Sequence, residues 1–93
     1  MTQLETLILR EVAKHHLSAK EPMVREALLS NPDVEDALVP KPCADSANLQ
    51  MYYATLRLVS SGDLNRWHWA HRFHYLELTT KGRAALEAAN QTP

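Results

Sequence analysis

Only two glycines occur in this chain of 93 residues, and their placement fixes where regular elements must stop and start. Gly62 follows an apolar-striped helical segment, and Gly82 lies inside Thr79-Thr80-Lys81-Gly82-Arg83. A glycine just past the last periodic residue supplies the left-handed conformation that ends a helix. One in the first turn of the next helix lets another backbone come close. The chain between them must leave one helix and return to another. Its aromatic, alternating runs Leu64–Trp69 and Phe73–Leu78, split by Ala70-His71-Arg72, read as a β-hairpin.

The remaining elements follow from caps and periodicity. Thr2 with Glu5 makes a capping box, and Leu4, Leu7, Ile8 and Val12 recur at helical spacing to about Leu17. Residues 18–22 offer two starts for a second helix, a capping box at Ser18 or a proline, Pro22, in the first turn; Met23, Ala27 and Leu28 then give a short apolar stripe. Prolines and acids across 31–45 predict a long connector, irregular apart from a turn around 34–39. Ser46 caps a third helix in which Leu49, Tyr52, Tyr53, Leu56, Val59 and Ser60 form the core side, leaving Gln50, Met51, Ala54, Thr55, Arg57 and Leu58 outward. Thr79 or Thr80 caps a last helix through Ala84, Leu86 and Ala89, and residues 90–93 are expected to fray. The predicted class is α+β, mainly helical: three helices, a two-stranded hairpin and a C-terminal helix in a single domain, 1–93.

Composition narrows the setting. No apolar run approaches the roughly 20 residues that cross a bilayer, which speaks against a membrane partner. The N-terminal residues lack the pattern of a secretory signal, and the lone Cys43 has no internal disulfide partner, so a cytoplasmic location is expected. Net charge is −1, unevenly divided. Residues 1–56 hold five Lys/Arg against eight Asp/Glu, whereas residues 57–93 hold five against three. The basic excess coincides with the hairpin and last helix.

The order of elements, with Tyr53, Leu56 and Val59 before Gly62, Leu64 and Arg66, and then Leu78, Thr79, Gly82 and Arg83, resembles the winged helix-turn-helix family, particularly regulators of the PadR-like and MarR-like kind. The matching pattern covers about half the chain, residues 46–86. The long connector and the short wing (64–78) depart from that family's usual pattern. The resemblance implies a transcriptional regulator that binds double-stranded DNA as a homodimer and represses by occupying a promoter, with the third helix as reader and the hairpin as wing. Asn48, Gln50, Thr55 and Arg57 are side chains suited to base edges, while Lys41, Arg66, Arg72 and His71 suit phosphates. With the capping residue Ser46 they make up the expected duplex contacts. Self-association is expected through the first and last helices, where Leu9, Leu17, Ala85 and Ala88 widen the apolar surface.

Each of these features also has a plainer explanation. Gln50, Thr55 and Arg57 suit a merely solvated helix face. Met51 and Leu58, with Ala54 between them, suggest an alternative function, an adaptor or inhibitor that binds a host protein rather than DNA, of phage or mobile-element origin; a connector folded over them is the competing account. His68, His71 and His74 are spaced by three, which lines ligands up on a helix but not on a strand, so no metal is expected. Trp67 and Trp69 share a strand face and serve more often as anchors than as base-stacking platforms. No glycine-rich phosphate loop, nucleophile elbow or acidic pair is present, and neither enzyme activity nor a cofactor is expected.

Overall fold

The computed structural model describes residues 1–15, 19–39, 46–69 and 73–91, with the backbone alone at Trp69. The elements run α1 (Gln3–Ala13), β1 (Ala19–Lys20), α2 (Glu21–Leu29), α3 (Pro32–Ala37), α4 (Ala47–Ser60), β2 (Leu64–Trp69), β3 (Phe73–Leu78) and α5 (Thr80–Asn90). The result is a mostly helical α+β fold with one small antiparallel sheet.

Helix α1 is the hub. Thr2 caps it, its hydroxyl accepting the Glu5 N–H at 3.1 Å. Ile8 and Leu9 are fully buried because α2, α4 and α5 all pack around this helix. Leu9 therefore belongs to the monomer's own core, which corrects its assignment to a dimer face; Leu17 lies outside the described residues. Ala85 is half-buried and Ala88 exposed on α5. The last two residues, 92 and 93, are also outside the described part.

The sheet has three strands, in the order β1-β3-β2, where the sequence predicts two. The hairpin forms over the predicted spans, from Leu64↔Leu78 to Trp69↔Phe73. Ala19 and Lys20 add a short edge strand opposite Leu76 and Tyr75. Two residues carry no detectable alternation, so this strand has no sequence signature. Pro22 sits in the first turn of α2, and Lys20 in front of it is extended with no side-chain cap, settling the two possible starts in favour of the proline.

Within the connector, residues 32–37 form α3. Asn31 caps it by accepting the Asp33 N–H at 3.0 Å, Pro32 occupies the first turn, and Val34 is buried. Residues 40–45 lie outside the described part.

The largest correction concerns α4. Its buried side carries Met51, Ala54, Thr55 and Leu58, while Leu49, Tyr52 and Tyr53 are exposed and Leu56 and Val59 half-buried. Both stripes have helical spacing, so periodicity alone does not choose between them. Hydrogen-bond satisfaction does: two phenols in the core would each need a partner. The single inward hydroxyl, on Thr55, donates to the Met51 carbonyl at 2.8 Å within the same helix.

Both glycines act at one junction. Gly62 has φ +84° and ends α4 in a Schellman turn, with Asp63 N–H donating to Leu58 O at 2.9 Å and Gly62 N–H to Val59 O at 3.1 Å. At Gly82 a β-carbon would collide with the Asp63 backbone carbonyl. The substitution Gly82→Ala is expected to lower the urea midpoint by the equivalent of about 2–3 kcal/mol, more than the roughly 1–2 kcal/mol of Gly62→Ala. Equal losses at the two positions in equilibrium unfolding would contradict the close approach.

Candidate interaction face of α4

The exposed side of α4 starts at Ser46, whose hydroxyl accepts the Leu49 N–H at 3.4 Å, and continues through Asn48, Leu49, Tyr52 and Tyr53. The two tyrosine rings lie 5.7 Å apart at 54°. This face is polar at its first turn and aromatic beyond it.

The structure separates the sequence-predicted duplex contacts into five groups. Ser46 and Asn48 are on the exposed side, as a surface role requires. Gln50 instead grips the end of the α3 segment, accepting Val39 N–H at 2.8 Å and donating to Val39 O at 3.1 Å. These two hydrogen bonds to one residue's backbone make it a clamp between α4 and the segment that follows α3. Thr55 is buried, so its place among base-reading residues is corrected. Lys41, His71 and Arg72 lie outside the described residues.

The fifth group is the two arginines, both engaged with carboxylates. Arg57 donates from Nε to Glu5 Oε1 at 3.0 Å, joining α4 to the first turn of α1 while its own side chain stays 54% exposed. Glu5 thus faces α4 rather than closing the capping box with Thr2. Arg66 makes a tighter contact: Nε and a terminal nitrogen donate to the Glu21 carboxylate at 3.0–3.3 Å, with side chains 19% and 13% exposed. Its guanidinium also lies 5.6 Å from the Tyr52 ring centroid. Glu21 begins α2, so its charge also complements that helix's N-terminus.

The remaining candidates resolve simply. Met51 and Leu58 are 3% and 1% exposed, which withdraws them as a docking patch. Leu38, partly buried, and Val34 from α3 pack against the same core. His68 and His74 are cross-strand partners with rings 4.9 Å apart, and His74 Nδ1 is 3.8 Å from Glu21. Among the described residues no group of three or more His, Cys, Asp or Glu is arranged to hold a metal. Trp67 stacks on Tyr75 at 5.8 Å across the hairpin, on the sheet face opposite the buried Leu64 and Leu76, so it ties strand to strand rather than hairpin to core. A cleft between α2 and α4, bordered by Glu21, Arg25, Asn48 and Tyr52, has room for about 20 Å³, the size of one water. Among the described residues no helix is long and apolar enough to cross a membrane.

Sequence reasoning missed Leu49, Tyr52 and Tyr53 as surface groups because it took the largest apolar side chains for the core. The paired tyrosines carried the missing signal, since each brings a hydroxyl to be hydrated or bonded. Glu21 was missed because its partner is 45 residues away. No protein-family model matches the chain, and no curated protein or solved structure matches it significantly.

The two arginine pairs predict different energetics. A double-mutant cycle on Glu21 and Arg66 should give a coupling of about 1–2 kcal/mol, because the contact is bidentate and largely shielded. The Glu5–Arg57 pair, with a single hydrogen bond and an arginine that is 54% exposed, should give less, about 0.5 kcal/mol. Chemical denaturation of the single and double alanine variants measures both, and equal couplings would refute the distinction.

Proposed function

We propose that the chain is a small winged-helix protein that binds double-stranded DNA through the exposed side of α4 and regulates transcription by occupying a promoter. The observation that carries this reading is the placement of α4: one side is seated in the core, the other is open from Ser46 onward, and the hairpin follows directly at Leu64. A helix held in this way has the form needed to enter a major groove, with the hairpin beside it as wing. Asn48, in the first turn, is the base-edge reader, and its carboxamide suits adenine. Tyr52 and Tyr53 supply hydroxyls to the backbone and rings to thymine methyls. Arg57 exchanges Glu5 for a phosphate, which its own 54% exposure allows. Arg66 stays with Glu21 and orients the hairpin. Lys41, His71 and Arg72 retain the phosphate-contacting role that the family resemblance implies.

A second reading, a protein-binding adaptor, is favoured by a specific observation. Leu49, Tyr52 and Tyr53 are 43%, 41% and 46% exposed, and Arg57 and Arg66 are already paired with carboxylates. Such a face suits a desolvated protein contact.

Selection from random duplexes, followed by salt titration, separates the two. DNA binding predicts an enriched motif, affinity that falls steeply with salt, a several-fold uniform loss for Arg57→Ala, and relaxed preference at one base for Asn48→Ala. No motif at moderate salt, together with stoichiometric capture of a protein that Leu49→Glu abolishes, would replace the regulator by the adaptor.

A further inference from the structure

We propose that His68 and His74 together chelate one divalent transition-metal ion, with Zn²⁺ as the best match, and that Glu21 orients the His74 ring for it. The site does not depend on the regulator reading.

Spacing along the chain speaks against a metal here, but pairing across the strands supplies what spacing lacks. The register sets His68 directly opposite His74, on the same sheet face as Leu64, Arg66 and Leu76. Both rings are within reach of an ion: His68 is exposed and the His74 side chain is 41% exposed.

Opposed side chains on an antiparallel pair always come close, so proximity alone selects nothing. Three observations single out this pair. First, the two opposed groups are both imidazoles, with ring centroids 4.9 Å apart and planes inclined by 42°. Two imidazoles that share one ion at about 2.0–2.1 Å from each nitrogen have centroids roughly 4.5–5.2 Å apart. The ring spacing therefore suits a shared ion, and binding calls for rotation of the rings rather than movement of the strands. Second, His74 Nδ1 lies 3.8 Å from Glu21 Oε2. A carboxylate on that side favours the tautomer protonated at Nδ1 and leaves the Nε2 lone pair for a metal, the usual partnership behind a metal-bound histidine. Third, Glu21 is itself fixed, because Arg66 donates to both of its oxygens. That pairing also balances the Arg66 charge, so an incoming dication does not meet an unpaired guanidinium.

Ligand chemistry chooses the ion. Imidazoles suit Zn²⁺, Cu²⁺ and Ni²⁺, whereas Mg²⁺ and Ca²⁺ require oxygen ligands. Among the described residues no third His, Cys, Asp or Glu is arranged to complete a metal site, so water fills the remaining positions. Two protein ligands instead of four set a modest Kd, on the order of 10–100 µM.

The test uses the intact chain carrying Cys43→Ser, with Zn²⁺ as the probe. Calorimetry should give one ion per chain, and Zn²⁺ at about ten times Kd should raise the thermal midpoint by several degrees while Mg²⁺ leaves it unchanged. His68→Gln and His74→Gln should each weaken binding at least about tenfold, and Glu21→Gln about tenfold. His15→Gln, which removes the imidazole beside Glu11 at the end of α1, should leave the affinity unchanged. Circular dichroism without metal checks that each variant is folded. In nitrogen-resolved NMR the His68 and His74 imidazole signals should shift together as Zn²⁺ is added, and metal-free His74 should show the Nδ1-protonated tautomer. A chain that takes up no Zn²⁺, or one in which His68→Gln binds as tightly as the parent, overturns the chelate. The opposite His74 tautomer, or an affinity untouched by Glu21→Gln, overturns the orienting role of Glu21.

Discussion

The backbone carbonyl of Asp63 is the point on which the architecture turns. It accepts the Thr79 N–H at 3.2 Å, lies 3.0 Å from the Thr79 hydroxyl, and leaves no room for a side chain at Gly82. The same Thr79 hydroxyl is 2.7 Å from the Gly62 carbonyl and accepts the Gly82 N–H at 2.9 Å. One hydroxyl and one carbonyl therefore lock the end of α4 to the start of α5, with the whole hairpin as the loop between them. Lys81 adds a contact from its ammonium to the Ser61 carbonyl, where the C-terminal end of α4 favours positive charge. Because Leu64 follows at once and is buried, this junction also sets which face of β2 enters the core.

This junction was the most legible part of the sequence, because glycine and threonine signal through local geometry. Gly62 and Thr79 announce a helix end and a helix start within a few residues of themselves. The hairpin spans were legible for the same reason: alternation over six residues is a local pattern. What failed depended on distant partners. The β1 strand exists only because β3 offers it an edge, and α3 is a short helix that its Asn31 cap and buried Val34 hold in place. The orientation of α4 failed because Met51, Ala54, Thr55 and Leu58 compete with a stripe of larger side chains at the same period.

The candidate site was legible in location and not in composition. Ser46 and Asn48 are exposed on α4 as the sequence suggested, whereas Gln50, Thr55, Met51 and Leu58 were assigned to a surface that the fold uses for itself. Gln50 shows why: its amide fits a backbone donor and acceptor at Val39 as well as it would fit a base, and nothing in the local sequence says that α3 will bring Val39 within reach.

The inversion of α4 changes what its surface can do. A reader helix relying on charge would keep its cations free, yet Arg57 and Arg66 are each tied to a carboxylate from another element, Glu5 on α1 and Glu21 on α2. These ties differ in kind. The Arg57 guanidinium is 54% exposed and makes one hydrogen bond, so that cation can reach an anionic partner, although Glu5, 13% exposed, would lose its partner as Glu21 would. The Arg66 pair is shielded and bidentate, and breaking it would leave Glu21 partly buried without its partner, so Arg66 is structural. The outward stripe of α4 thus offers one exchangeable cation, one carboxamide and a band of rings. Few charges on this stripe mean that any partner would be recognised there mainly by contact with its rings and carboxamide.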